Sequence, residues 1–285
     1  MTAERVATVL TAADNTHIFA ANRATGHIAL SVAATHGASR RARVHEAGSL
    51  RVRCPNGHDK GTLDAVIVNT AGGMTGGDQF ALEFDVGAGA RLSVTTAAAE
   101  KVYRSLGPDT NMGVKLTVGD GAALAWLPQE TILFDQVRLR RTIDVELASN
   151  AHLLLAEAIV FGRAAMGETV KSGHLFDRWR VRLDGALIFA ETLRIEGAIA
   201  EQLAQRPAAA GGAAIAGILK IPGDDAAVAA VNAMQQNFDG EVGASAWNGL
   251  ALARLVAPNG TALRHDLAAI VTAWSAMPLP RLWLS

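Results

Sequence analysis

Apolar and polar residues alternate in four short segments near the start of the chain, at residues 27–32, 41–45, 50–53 and 63–68. A period of two is typical of β-strands that bury one face. Turn-forming residues separate the segments, as in Pro55-Asn56-Gly57. Residues 1–14 show no such alternation, so we expect a flexible N-terminal tail there and a single β-rich domain over residues 15–285.

Three segments in the middle of the chain share one pattern, in which an alternating strand is followed by a tight turn with Gly or Asn and then by Ala-x-Leu. The units begin at Phe84, Leu116 and Val145, so the period is about 30 residues. Such a repeat is typical of stacked β-coils or a layered β-sheet. Unrelated β-hairpins would share the same local features, and both interpretations predict a β-rich protein.

The polar segments that follow these turns differ from unit to unit. They lie at residues 95–104, 126–135 and 156–163. If the units stack, these insertions lie above one another on one side of the protein. A scaffold that presents its loops on one side is typically a binding surface.

Two later segments have helical rather than alternating patterns. Residues 226–236 are rich in Ala and follow Asp224-Asp225, and residues 261–277 space apolar side chains helically between Asn259-Gly260 and Pro278. Further strands are predicted at residues 179–183, 187–191, 215–221 and 244–256. The chain is therefore predicted to be mainly β, a coiled β-helix-like or layered β-sheet domain with about two α-helices near the C-terminus.

A glycine-rich stretch, NTAGGMTGGDQF from Asn69 to Phe80, directly follows an apolar strand. Gly72 and Gly77 have the spacing of the glycines in a P-loop, but Asp78 stands where that motif needs Lys, and an acid there would repel a phosphate. We therefore expect a structural or partner-contacting turn, with Gly76 at positive φ.

Composition narrows the range of functions. The 285 residues carry a net charge of −1, which suggests neither a nucleic-acid nor an acidic-membrane partner. Hydrophobic residues make up 50% of the chain, which reflects either its many alanines or an apolar surface for a protein partner. A single cysteine, Cys54, fits a reducing compartment, and no signal segment or membrane-spanning run is present, so a cytoplasmic protein is expected.

Side chains for catalysis or metal binding are scattered. The histidines are dispersed, and the pair Cys54 and His58 would need two further ligands to hold a metal. Acids are plentiful in the central block, at Asp78, Asp85, Glu100, Glu130, Asp135, Glu157 and Glu168. Such acids serve acid/base catalysis, cap turns and form ion pairs, or line a hydrated passage for a cation.

Four segments of this chain, in this order and spacing, closely resemble the family of urease accessory proteins called UreD, or UreH in some organisms. They are NTAGGMTGGDQF, TTAAAEKVYRS, LPQETILFD and EAIVFGRAAMGE. The C-terminal PRLW is also similar to the usual ending of the family. The resemblance covers the chain from about residue 17 to residue 285. It implies the fold of the family, a predominantly β coil of strands with two helices.

The resemblance implies a role that is not catalytic. Proteins of this family form a complex with two other urease accessory proteins, one of them a GTPase, and with the urease apoprotein. They help to deliver nickel into the urease active site, and a route for nickel through the interior has been proposed for them. The resemblance therefore implies protein partners, no tightly bound cofactor and only transient contact with nickel.

Candidate residues for partner binding or nickel passage are those that match the motifs of the family. They are Gly72, Gly73, Gly76, Gly77, Asp78, Thr95, Thr96, Glu100, Lys101, Tyr103, Arg104, Gln129, Glu130, Asp135, Glu157, Arg163 and Glu168. We predict no catalytic residue and no metal site of high affinity. Asp78, Glu130 and Glu157 are the candidates for weak metal contact.

Two alternative functions remain open from the residues alone. A β-solenoid hydrolase would need two carboxylates on one face of an open cleft, separated by roughly 5–10 Å. A freestanding nickel-binding metallochaperone would need its own tight site.

Overall fold

The computed structural model describes residues 22–55, 61–105, 107–163, 166–206 and 208–283. The predicted tail over residues 1–14 and His58 lie outside the described residues. The described strands are β1 (Thr25–Thr35), β2 (Ala38–Gly48), β3 (Leu50–Arg53), β4 (Leu63–Asn69), β5 (Gln79–Val86), β6 (Arg91–Thr96), β7 (Glu100–Val102), β8 (Thr110–Val118), β9 (Ala123–Trp126), β10 (Thr131–Leu133), β11 (Val137–Leu147), β12 (His152–Phe161), β13 (Gly173–Leu183), β14 (Ala186–Gly197), β15 (Ala214–Ile221), β16 (Glu241–Trp247) and β17 (Leu250–Ala257). The described helices are α1 (Ile199–Leu203), α2 (Asp225–Asn232) and α3 (Gly260–Trp274).

The strands form two sheets that face each other, and the chain alternates between them. Sheet A has the order β14-β13-β11-β8-β5-β1-β2. Sheet B has the order β16-β17-β15-β12-β9-β6-β4-β3, with β7 and β10 attached beside β12. From β4 to β13 successive long strands belong to opposite sheets, and those of them that are neighbours within a sheet run parallel. This arrangement is a β-solenoid-like coil, so the predicted fold class is confirmed.

The three repeat units stack in register. In sheet A, Phe84 pairs with Leu116, and Leu116 pairs with Val145. In sheet B, Leu92 pairs with Leu124, which pairs with Leu153. The repeat therefore reflects the coil itself, because each unit occupies the same position one turn further along the solenoid.

Apolar side chains fill the space between the sheets. Alternation along β5 buries Phe80, Leu82 and Phe84 and leaves the residues between them exposed. Phe84 of sheet A meets Trp126 of sheet B edge to face, with ring centroids 5.5 Å apart. Burial of these side chains contributes the main stabilisation of the coil, at roughly 25 cal/mol per Å² of apolar surface.

The two predicted helices cover the outer face of sheet B. The Asp224 carboxylate accepts a hydrogen bond from Ala227 N at 3.0 Å at the start of α2, and Asn259 caps α3 in the same way through Ala262 N at 2.9 Å. Apolar residues of α3 pack with those of α2 and the outer side of β12, β15 and β17 in a second core. Among the described residues, no helix combines the length and the apolar character needed to cross a bilayer.

The prediction of a single strand over residues 244–256 is wrong. The segment forms a hairpin of β16 and β17, in which Ala244 pairs with Ala253. Asn248 and Gly249 make the turn at φ values of 47° and 77°. Positive φ at both central positions is the signature of a tight hairpin turn, which Asn-Gly favours.

Candidate functional site

The polar insertions of the three units lie side by side at one edge of the solenoid, as predicted. Glu100 of β7 pairs with Thr131 of β10, which pairs with Ile159 of β12. An isolated bridge between Met74 and Val102 joins the glycine-rich loop to the same edge. We refer to the glycine-rich loop together with residues 95–104, 126–135, 156–163 and 166–172 as the insertion face.

Three of the four glycines in the loop adopt a left-handed backbone. Gly72, Gly73 and Gly77 have φ values of 75°, 147° and 91°. Gly76 does not adopt a left-handed backbone, so the prediction of a positive φ at this position is wrong. A Cβ atom at Gly76 would instead lie 2.6 Å from Pro108 O and even closer to Ser105 Oγ. Gly76 is therefore needed for close approach of two segments.

Asp78 closes the glycine-rich loop from the inside. Its Oδ2 accepts from Thr75 N and its Oδ1 accepts from Ala24 N, both at 2.8 Å, and the residue is only 3% exposed. A carboxylate that satisfies two backbone donors in this way fixes the turn. Asp78 therefore supports the insertion face from below, and its carboxylate is directed into the turn.

Glu100 is a half-buried residue of the insertion face and lines a small cavity between the two sheets. Asn69 Nδ2 is 3.2 Å from both of its carboxylate oxygens. Burial raises the pKa of Glu100 to about 7, although hydrogen bonds from Asn69 and the Lys101 backbone oppose the shift. Near neutral pH this carboxyl therefore exists in both its protonated and its ionised form.

A buried charged cluster lies deeper between the sheets. Arg141 Nη2 donates to Asp177 Oδ2 at 2.5 Å, and Arg141 Nη1 donates to Glu157 Oε2. Trp126 Nε1 donates to the other oxygen of Glu157 at 2.8 Å, and Thr131 Oγ1 lies 3.4 Å from Arg141 Nη1. We call Arg141, Glu157 and Asp177 the interior charge cluster.

Two carboxyl groups share one guanidinium in the interior charge cluster. Burial raises the pKa of Glu157, and Arg141 opposes that shift. Burial disfavours the charged form of Arg141, but Asp177 and Glu157 more than offset this effect and raise its pKa. The cluster therefore holds a fixed positive charge and an excess of acidic groups in an environment of low dielectric constant.

Only Glu157 of this cluster was among the predicted site residues, yet the sequence contains a signal for all three. Along β11 the inward positions are Val137, Leu139, Arg141, Ile143 and Val145, so a charged residue interrupts an apolar series. Asp177 of β13 and Glu157 of β12 interrupt the inward series of their strands in the same way. Charged residues at inward positions of adjacent coils predict a buried network.

A wider cleft of about 350 Å³ adjoins the cluster. Glu157 and Asp177 line it together with Glu191, which pairs with Arg254 at 2.9 Å. Glu157 also lines the small cavity beside Glu100. Polar side chains thus form a row between the sheets, from Glu100 through the interior charge cluster to Glu191.

The outer part of the insertion face combines aromatic and basic side chains. The rings of Tyr103 and Phe134 lie edge to face with centroids 4.8 Å apart, and the Arg163 guanidinium lies 4.2 Å from the centre of Phe134. Arg163 also pairs with Glu168 at 2.5 Å. Tyr103 is 38% exposed and Met166 is 72% exposed. Tyr103, Phe134, Arg163 and Glu168 line a surface depression.

The remaining predicted residues mostly stabilise this face. Asp135 Oδ1 accepts from Lys171 N and Ser172 N at 2.7 and 3.0 Å. Thr96 Oγ1 accepts from Gln129 N at 2.9 Å, and Gln129 Nε2 lies 3.3 Å from Thr95 Oγ1. The carbonyl oxygen of Lys101 accepts a hydrogen bond from Met74 N, and that of Arg104 accepts one from Thr75 Oγ1.

The C-terminal segment is docked against the same region. Trp283 Nε1 donates to Leu127 O at 2.8 Å, and Arg264 stacks on the Trp283 ring at 3.8 Å. Arg264 also approaches Glu130 at 3.9 Å. The segment thereby links helix α3 to the insertion face.

The three candidates for weak metal contact make different contacts and do not form one site. Asp78 closes the loop, Glu130 approaches Arg264, and Glu157 belongs to the interior charge cluster. Over the part of the chain that the structure describes, a single group of three potential metal ligands lies close together, and it consists of Asp239, His265 and Asp266. Burial raises the pKa of the Cys54 thiol, which makes the thiolate needed for metal binding less available.

Comparison with known proteins identifies close relatives along almost the whole chain. A family model described as UreD urease accessory protein matches residues 24–284. A urease accessory protein UreD of Rhodopseudomonas palustris strain CGA009 is 54% identical over 267 residues, which cover 94% of this chain and 95% of that protein. A urease accessory protein UreD of Bradyrhizobium diazoefficiens is 51% identical over 268 residues, covering 94% and 96% of the two chains.

Proposed function

The chain belongs to the UreD family of urease accessory proteins, and we propose that it acts in the maturation of urease. In this proposal the protein is a scaffold without catalytic activity of its own. It binds the urease apoprotein and other accessory proteins, including a GTPase, and so enables nickel to enter the urease active site. Its site of action is the cytoplasm.

The observation that carries the proposal is the convergence of the predicted residues on the insertion face. Tyr103, Phe134 and Arg163 form an aromatic and cationic cluster there, beside the exposed Met166. Tyr and Arg dominate the binding energy of many interfaces, and Met is enriched in them. Asp78 and the glycines beneath them keep the face rigid, which lowers the entropy cost of binding.

The row of polar side chains supports transient contact with nickel. Glu100, Glu157, Asp177 and Glu191 place carboxylate groups between the sheets. A passing cation would compete with Arg141 and Arg254 for three of them, which also favours weak contact. Oxygen ligands bind borderline divalent cations more weakly than nitrogen or sulfur ligands do, which suits cargo that must be released. Because nickel is the cargo, the proposal requires no resident cofactor, and GTP belongs to the partner protein.

The two alternative functions gain no support from the same residues. Glu157 and Asp177 are both bonded to Arg141, and each is about 5% exposed, whereas a glycosidase needs two accessible carboxylates in an open cleft. The acids named as weak metal candidates are engaged with different protein groups, so they do not form the tight site that a freestanding metallochaperone needs.

Replacement of Tyr103 by Ala tests the insertion face as the partner-binding surface. Loss of an interface anchor of this type typically costs 2 kcal/mol or more, so we expect the complex with the other accessory proteins to weaken by at least about 30-fold. The measurement is the amount of accessory protein and urease apoprotein that copurifies with the variant. Urease activation should fall with it.

The matched control is Leu187→Ala, because Leu187 is 51% exposed on β14, away from the insertion face. It should copurify with the partners as the parent protein does. Circular dichroism must show that both variants are folded. Equal copurification of the folded Tyr103→Ala variant and the control would exclude the insertion face as the binding surface.

A further inference from the structure

A group of three potential metal ligands lies where helix α3 meets the loop before β16, outside the insertion face. His265 and Asp266 belong to the second turn of α3, and Asp239 lies in the loop before β16. His265 Nδ1 is 3.1 Å from Asp266 Oδ1 and 3.2 Å from Asp239 Oδ2. All three ligand atoms lie within 4.8 Å of one another.

The fold holds one of these ligands in place. Asp266 is 1% exposed, and its two oxygens accept from Asp239 N at 2.9 Å and Gly240 N at 2.8 Å. These bonds fix the carboxylate and also tie the loop of Asp239 to helix α3. Each carboxylate oxygen can accept more than one interaction, so Oδ1 retains a lone pair on the side of His265. Buried partners of this kind orient metal ligands in proteins.

The separations match those of ligands around one small divalent ion. Bonds of about 2.0–2.2 Å from nitrogen and oxygen place adjacent ligand atoms about 3 Å apart. The combination of one imidazole and two carboxylates suits zinc, nickel and cobalt better than magnesium or calcium, which prefer oxygen alone. The side chains of His265 and Asp239 are each 58% exposed, so water has access to the remaining coordination positions.

We propose that His265, Asp239 and Asp266 form a surface site for one borderline divalent cation. The ion is bound by His265 Nδ1, Asp239 Oδ2 and Asp266 Oδ1, and water completes its coordination. The site joins the loop before β16 to helix α3. It is independent of the proposed role in urease maturation, because none of its residues belongs to the insertion face or the interior row.

Calorimetric titration of the purified chain with zinc tests the site, with His265→Gln and Asp239→Asn as the variants. Each removes one exposed ligand and leaves the bonds from Asp266 to the backbone intact. We expect each variant to lose one class of zinc site or to bind zinc there at least about tenfold more weakly. Zinc should also raise the melting temperature of the parent protein more than that of either variant.

The matched controls make the same chemical changes elsewhere. His152→Gln alters an exposed histidine on β12, and Glu241→Gln removes an exposed acid two residues from Asp239. Both controls should bind zinc as the parent protein does. The proposal is overturned if His265→Gln and Asp239→Asn bind zinc as the controls do. It is also overturned if the parent protein has no zinc site that these two variants lack. In that case His265 and the two acids form an ion pair only.

Discussion

Replacement of Arg141 by Met is expected to destabilise the protein by about 3–5 kcal/mol. Arg141 is the cation bonded to the buried carboxyl groups of Glu157 and Asp177. Its loss leaves two buried acids without their cation, and of the two only Glu157 keeps the hydrogen bond from Trp126. We expect a large fall in the urea concentration at the midpoint of unfolding, measured by tryptophan fluorescence, which Trp126 beside the cluster will report.

The neighbouring residue on the same strand gives a matched control. Arg140 is exposed on the outer face of sheet A, where its guanidinium lies 4.2 Å from the centre of the Phe176 ring. Arg140→Met removes the same charge and should cost less than about 1 kcal/mol. If the two variants unfolded at similar urea concentrations, the interior charge cluster would not have the importance assigned to it.

A triple variant separates the missing cation from the lost packing of the Arg141 side chain. Arg141→Met combined with Glu157→Gln and Asp177→Asn removes all three charges together. Because the unpaired acids are gone and the introduced amide oxygen at position 157 can still accept from Trp126, part of the lost stability should return. A triple variant that is no more stable than Arg141→Met would show that packing, and not charge, dominates at this position.

Replacement of Gly76 by Val is expected to prevent correct folding of the insertion face and to lower the yield of soluble protein strongly. A Cβ atom there would collide with the Ser105 side chain and with Pro108 O. The loop has little freedom to move away, since Gly77 N donates to Asp109 O at 3.0 Å and Asp78 anchors Thr75 from the other side. Overpacking of a fixed site costs about 1–3 kcal/mol and often more.

The control for this variant is Gly243→Val. Gly243 lies in the edge strand β16, a Cβ atom there would meet nothing within 4 Å, and its φ is not positive. A β-branched residue suits a strand, so soluble yield and melting temperature should stay close to those of the parent protein. A Gly76→Val variant that matched this control in yield and in urease activation would contradict the close-packing role of Gly76.

Much of the fold could be predicted because it follows from local periodicity. Alternation of apolar and polar residues marks the strands, and the repeat beginning at Phe84, Leu116 and Val145 marks the turns of the solenoid. The caps Asp224 and Asn259 mark the two longer helices correctly. These signals are reliable because each depends on residues that are close in the sequence.

The details that were missed depend on contacts between distant segments. Nothing near Gly76 in the sequence indicates that Ser105 and Pro108 pack against it, so its role was assigned to the backbone angle. The short helix α1 lacks a side-chain cap and has only five residues, so its pattern is too brief to detect. The hairpin of β16 and β17 was missed because alternation continues on both sides of the Asn248-Gly249 turn.

The candidate site was predicted only in part, for a related reason. Family motifs identified the insertion face, whose residues come from corresponding positions in successive coils. They did not identify Arg141 and Asp177, although both stand at inward positions of their strands. Their partnership with Glu157 requires knowledge of which strands face each other across the solenoid, and only the structure supplies it.

The most direct test of the central claim is the nickel content of urease produced with and without this chain. Urease subunits and the other accessory proteins are expressed together in both cases, and nickel per active site is measured on the purified urease with its activity. The account predicts that both values fall sharply without the chain and recover when it is supplied. Urease that fills with nickel equally well in its absence would contradict a role in urease maturation.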